Sequence, residues 1–226
     1  MKTRSKRYKT SAKDLDIKKV YELKDAIPVL KKMASPKFDG SIDLHFNLSI
    51  DSKKSDQMVR GTVVLPHGTG KKVRVIVFCK GEHEKLAKEA QADYVGGVEL
   101  MDKVAAGFLD FDCAIATPEM MKDLSKLGKV LGPRGLMPSP KTGTVTNDIV
   151  KAIEDVRRGK VEFRVDKQGG VHLSVGKVSF AEEKLYENAS RVIEALVEAK
   201  PASVKGKFVK SLSISSSMNP GLRLAI

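Results

Sequence analysis

The residues able to do chemistry come in fragments. Gly68-Thr69-Gly70-Lys71 looks like part of a phosphate loop, where glycine lets backbone N–H groups approach a phosphate and lysine neutralises it. The full pattern asks for glycine where Leu65 stands, and for Ser or Thr to hold magnesium where Lys72 stands. A dinucleotide fingerprint asks for a third glycine at Val73, and both motifs follow a strand, whereas this fragment precedes one. His83-Glu84 opens a zinc-protease pattern that meets Ala87 instead of a second histidine. A nucleophile elbow around Ser174 lacks its glycine, because His172 stands there. The four histidines (His45, His67, His83 and His172) are scattered without metal-ligand spacing. Cys79 and Cys113 lie in apolar runs with no CxxC pair, as buried, reduced thiols do. The expectation is a chain with no catalytic residue, no metal and no cofactor.

What remains is charge. The 226-residue chain carries a net +13. Like charges repel in a compact state, so an excess of this size points to a polyanionic partner, with nucleic acid ahead of an anionic membrane. Lys2, Arg4, Lys6, Arg7, Lys9 and Lys13 follow one another with no acid among them, a pattern shared by mobile solvated tails and by arms that reach phosphates. Lys200, Lys205, Lys207 and Lys210 form a second such stretch, and the Gly/Pro-rich loop 126–141 adds Lys129 and Arg134. Nothing engages a membrane: there is no amphipathic basic helix, no lipidation signal and no apolar run of roughly 18 to 20 residues. With no leader peptide legible, a cytoplasmic, reducing setting is expected.

The elements that position these groups read in two grammars. Ile42, Leu44, Phe46, Leu48 and Ile50 alternate with Asp43, His45, Asn47, Ser49 and Asp51, which predicts a strand with one dry and one wet face. A second strand follows at about 59–65, and an earlier helix at about 22–34 contains Pro28, which should kink it or delay its start. From His67 the pattern changes. Val73–Phe78 is nearly all apolar, as a strand covered on both sides should be, and helices at about 84–91 and 98–105 alternate with strands at 94–95 and 113–116. Thr117-Pro118 then opens a helix, and Asn147 is placed to cap a last one through Val156. After Gly159 the half-wet strands return. Val161, Phe163 and Val165 turn at Gly169-Gly170 into Val171, Leu173 and Val175, followed by a helix at about 181–198 and a strand at 207–216. The expected class is α/β. Its layout is an α+β domain of residues 1–66 and 160–226, into which an α/β domain of 67–159 is inserted. Glycines near both crossings would permit hinge motion.

Several segments resemble, in one order, the bacterial large-subunit ribosomal protein L-one family. They are Lys37-Phe38-Asp39, Ile50-Asp51, Ser55-Asp56-Gln57, Val59-Arg60-Gly61-Thr62 and the Leu65–Lys71 run. The longest is Leu127–Pro138, with Gly132-Pro133-Arg134-Gly135-Leu136-Met137-Pro138 its most specific part, continuing through Pro140–Val145. Gly159–Arg164, Val175-Gly176-Lys177 and Ser217-Met218 complete it. The resemblance implies an outer RNA-binding α+β domain and a Rossmann-like inserted domain. It also implies a structural, non-enzymatic role on the lateral-stalk ribosomal RNA of the large subunit, and assistance to deacylated transfer RNA leaving the exit site. Repression of the chain's own messenger RNA and a monomeric state off the ribosome follow from it as well. It assigns RNA contacts to Lys37, Phe38, Ser217 and Met218, with Asn219 at the same turn. Secondary candidates beside the resemblance are Asp166 and Lys167 at the hairpin and the arm of Lys2, Arg4, Lys6, Arg7 and Lys9. Lys37 suits a phosphate, Phe38 and Met218 a sugar or base face, and the Ser217 hydroxyl an RNA oxygen. One departure stands out: the family has glycine where this chain has Asn219, and asparagine tolerates left-handed backbone better than most residues. The competing class is a nucleotide-dependent α/β enzyme built on the middle block, which only its alternating elements support.

Overall fold

The computed structural model describes residues 5–13, 15, 19–33, 37–51, 54–204 and 206–225. Along them run α1 (Lys6–Lys13), β1 (Val20–Tyr21), α2 (Leu23–Lys32), β2 (Ser41–Leu48), β3 (Arg60–Val64), β4 (Val75–Phe78), α3 (Glu82–Glu89), β5 (Tyr94–Gly96) and α4 (Val98–Ala105). They continue with β6 (Cys113–Ala116), α5 (Met121–Leu124), α6 (Gly128–Leu131), α7 (Ile149–Arg157), β7 (Lys160–Arg164), β8 (Gly170–Lys177), α8 (Glu182–Glu198), β9 (Val209–Ser216) and β10 (Leu222–Leu224). The class is α/β. The chain divides into two compact units, one of residues up to Gly70 together with Val161 onward, the other of Lys71–Lys160.

The discontinuous unit is built on a five-stranded sheet of order β1-β10-β9-β2-β8, with β3 and β7 forming a separate pair. Along β2, Ile42, Leu44, Phe46 and Leu48 are buried and the residues between them are not, because successive strand side chains point to opposite faces. The dry face of β2, β8 and β9 packs on Ala26, Ile27 and Leu30 of α2 and on Leu185, Ala189, Val192 and Leu196 of α8, whose spacing lines one side of a helix. Each such side chain contributes about 1.5 to 3 kcal/mol on burial. The wet face carries Ser41, Asp43, His45, His172, Ser174, Ser213 and Ser215. Pro28 does not delay α2, which starts at Leu23 and runs past it. Asn188 of α8 is fully buried. Its amide accepts from His67 N at 3.1 Å and donates to the carbonyls of Gly68 and Val175 at 3.0 and 2.8 Å. The start of the glycine-rich fragment is thus anchored to a helix.

In the inserted unit three parallel strands run in the order β5-β4-β6. All four residues of β4 are buried. Ile76 and Phe78 pack with Leu100, Met101, Val104 and Leu124 on one face, while Val75 and Val77 pack with Ala87, Ile149, Ile153 and Val156 on the other. Two expected caps are corrected here. Asp148, not Asn147, caps α7, accepting from Lys151 N at 3.3 Å. Thr117 makes no side-chain cap and is buried, and the chain after it forms a short 3-10 turn before α5. Cys79 is buried, which pushes its thiol up to about 11, but Cys113 is only partly so.

Candidate nucleic-acid interface

Two segments far apart in the chain meet where β2 begins and β9 ends. Ile42 pairs with Ser216 across the ladder. One residue further out, Ser217 N donates to Ser41 O at 3.0 Å, and the Ser217 hydroxyl accepts from Ser41 N at the same distance. Ser217 is therefore a latch between the two segments as well as a polar surface group. Gly40 packs closely here, since a Cβ on it would lie 3.3 Å from Ser217 Cβ.

Asp39 explains why Lys37 and Phe38 point outward. Its carboxylate accepts from Ser179 N at 3.1 Å and from the Ser179 hydroxyl at 2.7 Å. Lys177 Nζ donates to Asp39 O at 3.4 Å and to Ser41 Oγ at 3.1 Å. With its third residue tied down, the Lys37-Phe38-Asp39 segment presents its first two residues to solvent. Phe38 is 52% exposed and Met218 58%. Neither side chain is part of a core cluster.

The turn that carries Met218 is closed by Asn219, whose backbone N–H donates to Ser216 O at 3.1 Å and whose Nδ2 donates to Ser216 Oγ at 2.7 Å. Met218 itself takes the left-handed conformation, with φ +66°, a costly setting for a non-glycine residue. The left-handed position lies one residue before Asn219, so asparagine in place of glycine does not strain the turn. From Lys6 onward the basic arm is a helix. Arg7 on α1 donates from Nη2 to Met218 Sδ at 2.9 Å, bringing a guanidinium to the edge. Lys6 and Lys9 are exposed on the same helix. Lys2, Arg4 and Lys205 lie outside the described residues.

Asp166 and Lys167 are not part of this edge. Gly170 pairs with Asn47 and Lys177 with Ser41, so their hairpin lies at the opposite end of the β2–β8 ladder. Six residue steps at about 3.4 Å each separate the two ends by roughly 20 Å. Asp166 Oδ1 accepts from Gly170 N at 2.6 Å and from Gln168 N at 2.8 Å. These backbone donors hold its carboxyl below the usual carboxylate range, so Asp166 shapes the hairpin that presents Lys167.

Residues 30–220 match the model of the ribosomal protein L1p/L10e family. The chain belongs to that family. It is 52% identical to the large ribosomal subunit protein uL1 of Aster yellows witches'-broom phytoplasma over 221 residues, covering 98% of this chain and 96% of that one. It is 53% identical to the protein of the same name from Fervidobacterium nodosum over 225 residues, covering 99% and 96%. Members of this family are structural ribosomal proteins, not enzymes. Among the described residues no group of three or more His, Cys, Asp or Glu is placed to hold a metal ion.

Sequence reasoning missed one feature of the wet face. His45 and His172, expected to be scattered, are directly opposite in the ladder, with their Nδ1 atoms 2.9 Å apart. His45 Nε2 lies 2.8 Å from Ser215 Oγ, and His172 Nε2 lies 3.9 Å from Asp166 Oδ2. Both histidines occupy wet positions of alternating strands, which sequence shows, but the register that pairs them is set by the fold.

Proposed function

We propose that this chain is a structural constituent of the large ribosomal subunit, held on the cytoplasmic ribosome by lateral-stalk ribosomal RNA. The observation that carries the reading is the bonding of Ser41 to Ser217, which links the segment that follows exposed Phe38 to the turn of exposed Met218, the latter served by Arg7. Lys37 and Arg7 neutralise phosphates there, Phe38 and Met218 pack on a base or sugar, and backbone N–H groups of the Ser217–Asn219 turn meet RNA oxygens. Asp166 and Lys167 act as a second contact at the far end of the same sheet. The uL1 name of the relatives and a net charge of +13 support an RNA partner.

Two finer roles belong to the same proposal. The chain assists release of deacylated transfer RNA from the exit site, and it represses translation of its own messenger RNA by binding a stalk-like structure there. Release rates from ribosomes with and without the protein test the first. A reporter behind the chain's own messenger leader tests the second, and expression that ignores added protein removes that role.

The deciding experiment measures binding of the purified protein to a stalk RNA fragment and to a scrambled RNA of equal length, at low and at physiological salt. The expected result is strong preference for the stalk fragment, a steep loss of affinity with salt, and a weakened preference in Phe38→Ala and Met218→Ala. Equal binding of both RNAs would leave non-specific attraction alone and overturn the reading.

A further inference from the structure

The two candidate contact regions are about 20 Å apart, and the wet face of the sheet spans the distance between them. Along it stand Ser41 and Ser217, then Asp43, Ser174 and Ser215, then His45 and His172, then the Asp166 hairpin. Arg223 lies opposite Ser213, which is itself opposite His45. The face is polar throughout, and at its middle the two histidine rings meet, with Asp166 beyond His172.

A bond between two Nδ1 atoms constrains protonation. One nitrogen must carry a hydrogen and the other a lone pair. The neutral pair satisfies this, and so does the pair with one added proton, in which both Nε2 atoms carry hydrogen. In that singly charged form His45 Nε2 donates to Ser215 Oγ, and His172 Nε2–H faces Asp166 Oδ2. A second added proton would place hydrogen on both Nδ1 atoms and break the contact. The site is therefore built to hold one positive charge, not two.

The groups facing His45 set when that charge appears. Desolvation between the strands holds its imidazole below the ordinary value, His172 on β8 pushes the same way, and Asp43 on β2 opposes them. From β9 it meets the Ser215 hydroxyl, and beyond His172 stands Asp166. Near neutral pH, without a ligand, His45 is thus neutral. An anion seated on the face shifts that balance, because a phosphate favours the charged form.

We propose that the His45–His172 pair is a proton-linked RNA contact: it takes up one proton as a phosphate of the bound RNA settles on the wet face. This rests on the RNA-binding reading given above. It adds that affinity for RNA rises as pH falls toward 6, through a site distinct from the Phe38–Met218 edge.

The test measures affinity for the stalk RNA fragment near pH 7.5 and near pH 6 at fixed ionic strength. Calorimetry in buffers of different ionisation enthalpy counts the protons taken up. The wild type should bind several-fold more tightly at the lower pH, bounded by about tenfold per pH unit for one linked proton. His45→Gln and His172→Gln, which keep a polar side chain without the titration, should flatten the dependence, while His67→Gln should preserve it. Imidazole nitrogen shifts of the wild-type protein, with and without RNA, read the same protonation with no substitution. No binding at either pH would bring down the RNA reading and this inference together. Tight, selective binding with no pH dependence and no proton uptake would overturn the histidine pair's role alone. A pH dependence that survives both substitutions would overturn it as well.

Discussion

β2 and β4 are both central strands, and they spend their side chains differently. β4 lies between two layers of helices, so every residue from Val75 to Phe78 is buried and none is left for a partner. β2 is covered on one face only. Half of its residues build the core, and the other half form a polar surface shared with β8 and β9. The number of layers over a sheet thus decides how much of a strand remains for recognition. The recognition surface proposed for this chain lies on the one-sided sheet, while the doubly covered sheet, whose pattern tempts one toward a nucleotide enzyme, has its strand side chains committed to packing.

The contrast can be broken by substitution. The largest effect belongs to Ile76→Ala, which should cost about 2 to 5 kcal/mol in urea unfolding as a core truncation, while His45→Gln on the wet face should stay within about 0.5 kcal/mol. Comparable losses at the two sites would mean the wet face is a second core. Next is Phe38→Ala, with stalk-RNA affinity falling by about 1 to 3 kcal/mol and an unchanged melting temperature. A lowered melting temperature with intact affinity would assign Phe38 to packing. Met218→Ala should act the same way with a smaller loss of about 1 kcal/mol. Arg7→Gln should weaken binding evenly across RNA sequences and lower the salt slope by about one contact's worth, read from affinities at several salt concentrations. The smallest effect is expected of Asn219→Gly. It removes the bond from Nδ2 to Ser216 Oγ, costing about 1 kcal/mol of stability or less, and leaves RNA affinity within about twofold. A large gain in affinity would show instead that asparagine obstructs the RNA.

Much of this was legible in sequence. The alternation of Ile42 to Leu48 and the apolar run of β4 announced their environments, because period-two and continuous burial leave distinct patterns. The 181–198 helix was legible for the same reason, since Leu185, Ala189, Val192 and Leu196 repeat at helical spacing. The strands β1 and β10 were not: with two and three residues they exist only through pairing with each other and with β9. The helix α1 carries several positive charges and no acid in its first turn, so its charge pattern hides its periodicity. For the site, composition announced a polyanion, and only the family resemblance singled out Lys37, Phe38, Ser217 and Met218. Nothing local links Ser41 to Ser217 or His45 to His172, because their meeting depends on strand register, which is a property of the whole sheet.

The latch between Ser41 and Ser217 also imposes an order on events during synthesis. The two residues are 176 positions apart, so the first half of the edge waits for almost the whole chain to be made. Lys71–Lys160 is contiguous and is complete before β8 and β9 emerge, and domains generally fold as units as the chain appears. A nascent or truncated chain lacking β9 has no assembled edge, however well its middle has folded. If the proposed recognition at this edge holds, it doubles as a check on completion, because a chain broken before β9 would lack the edge.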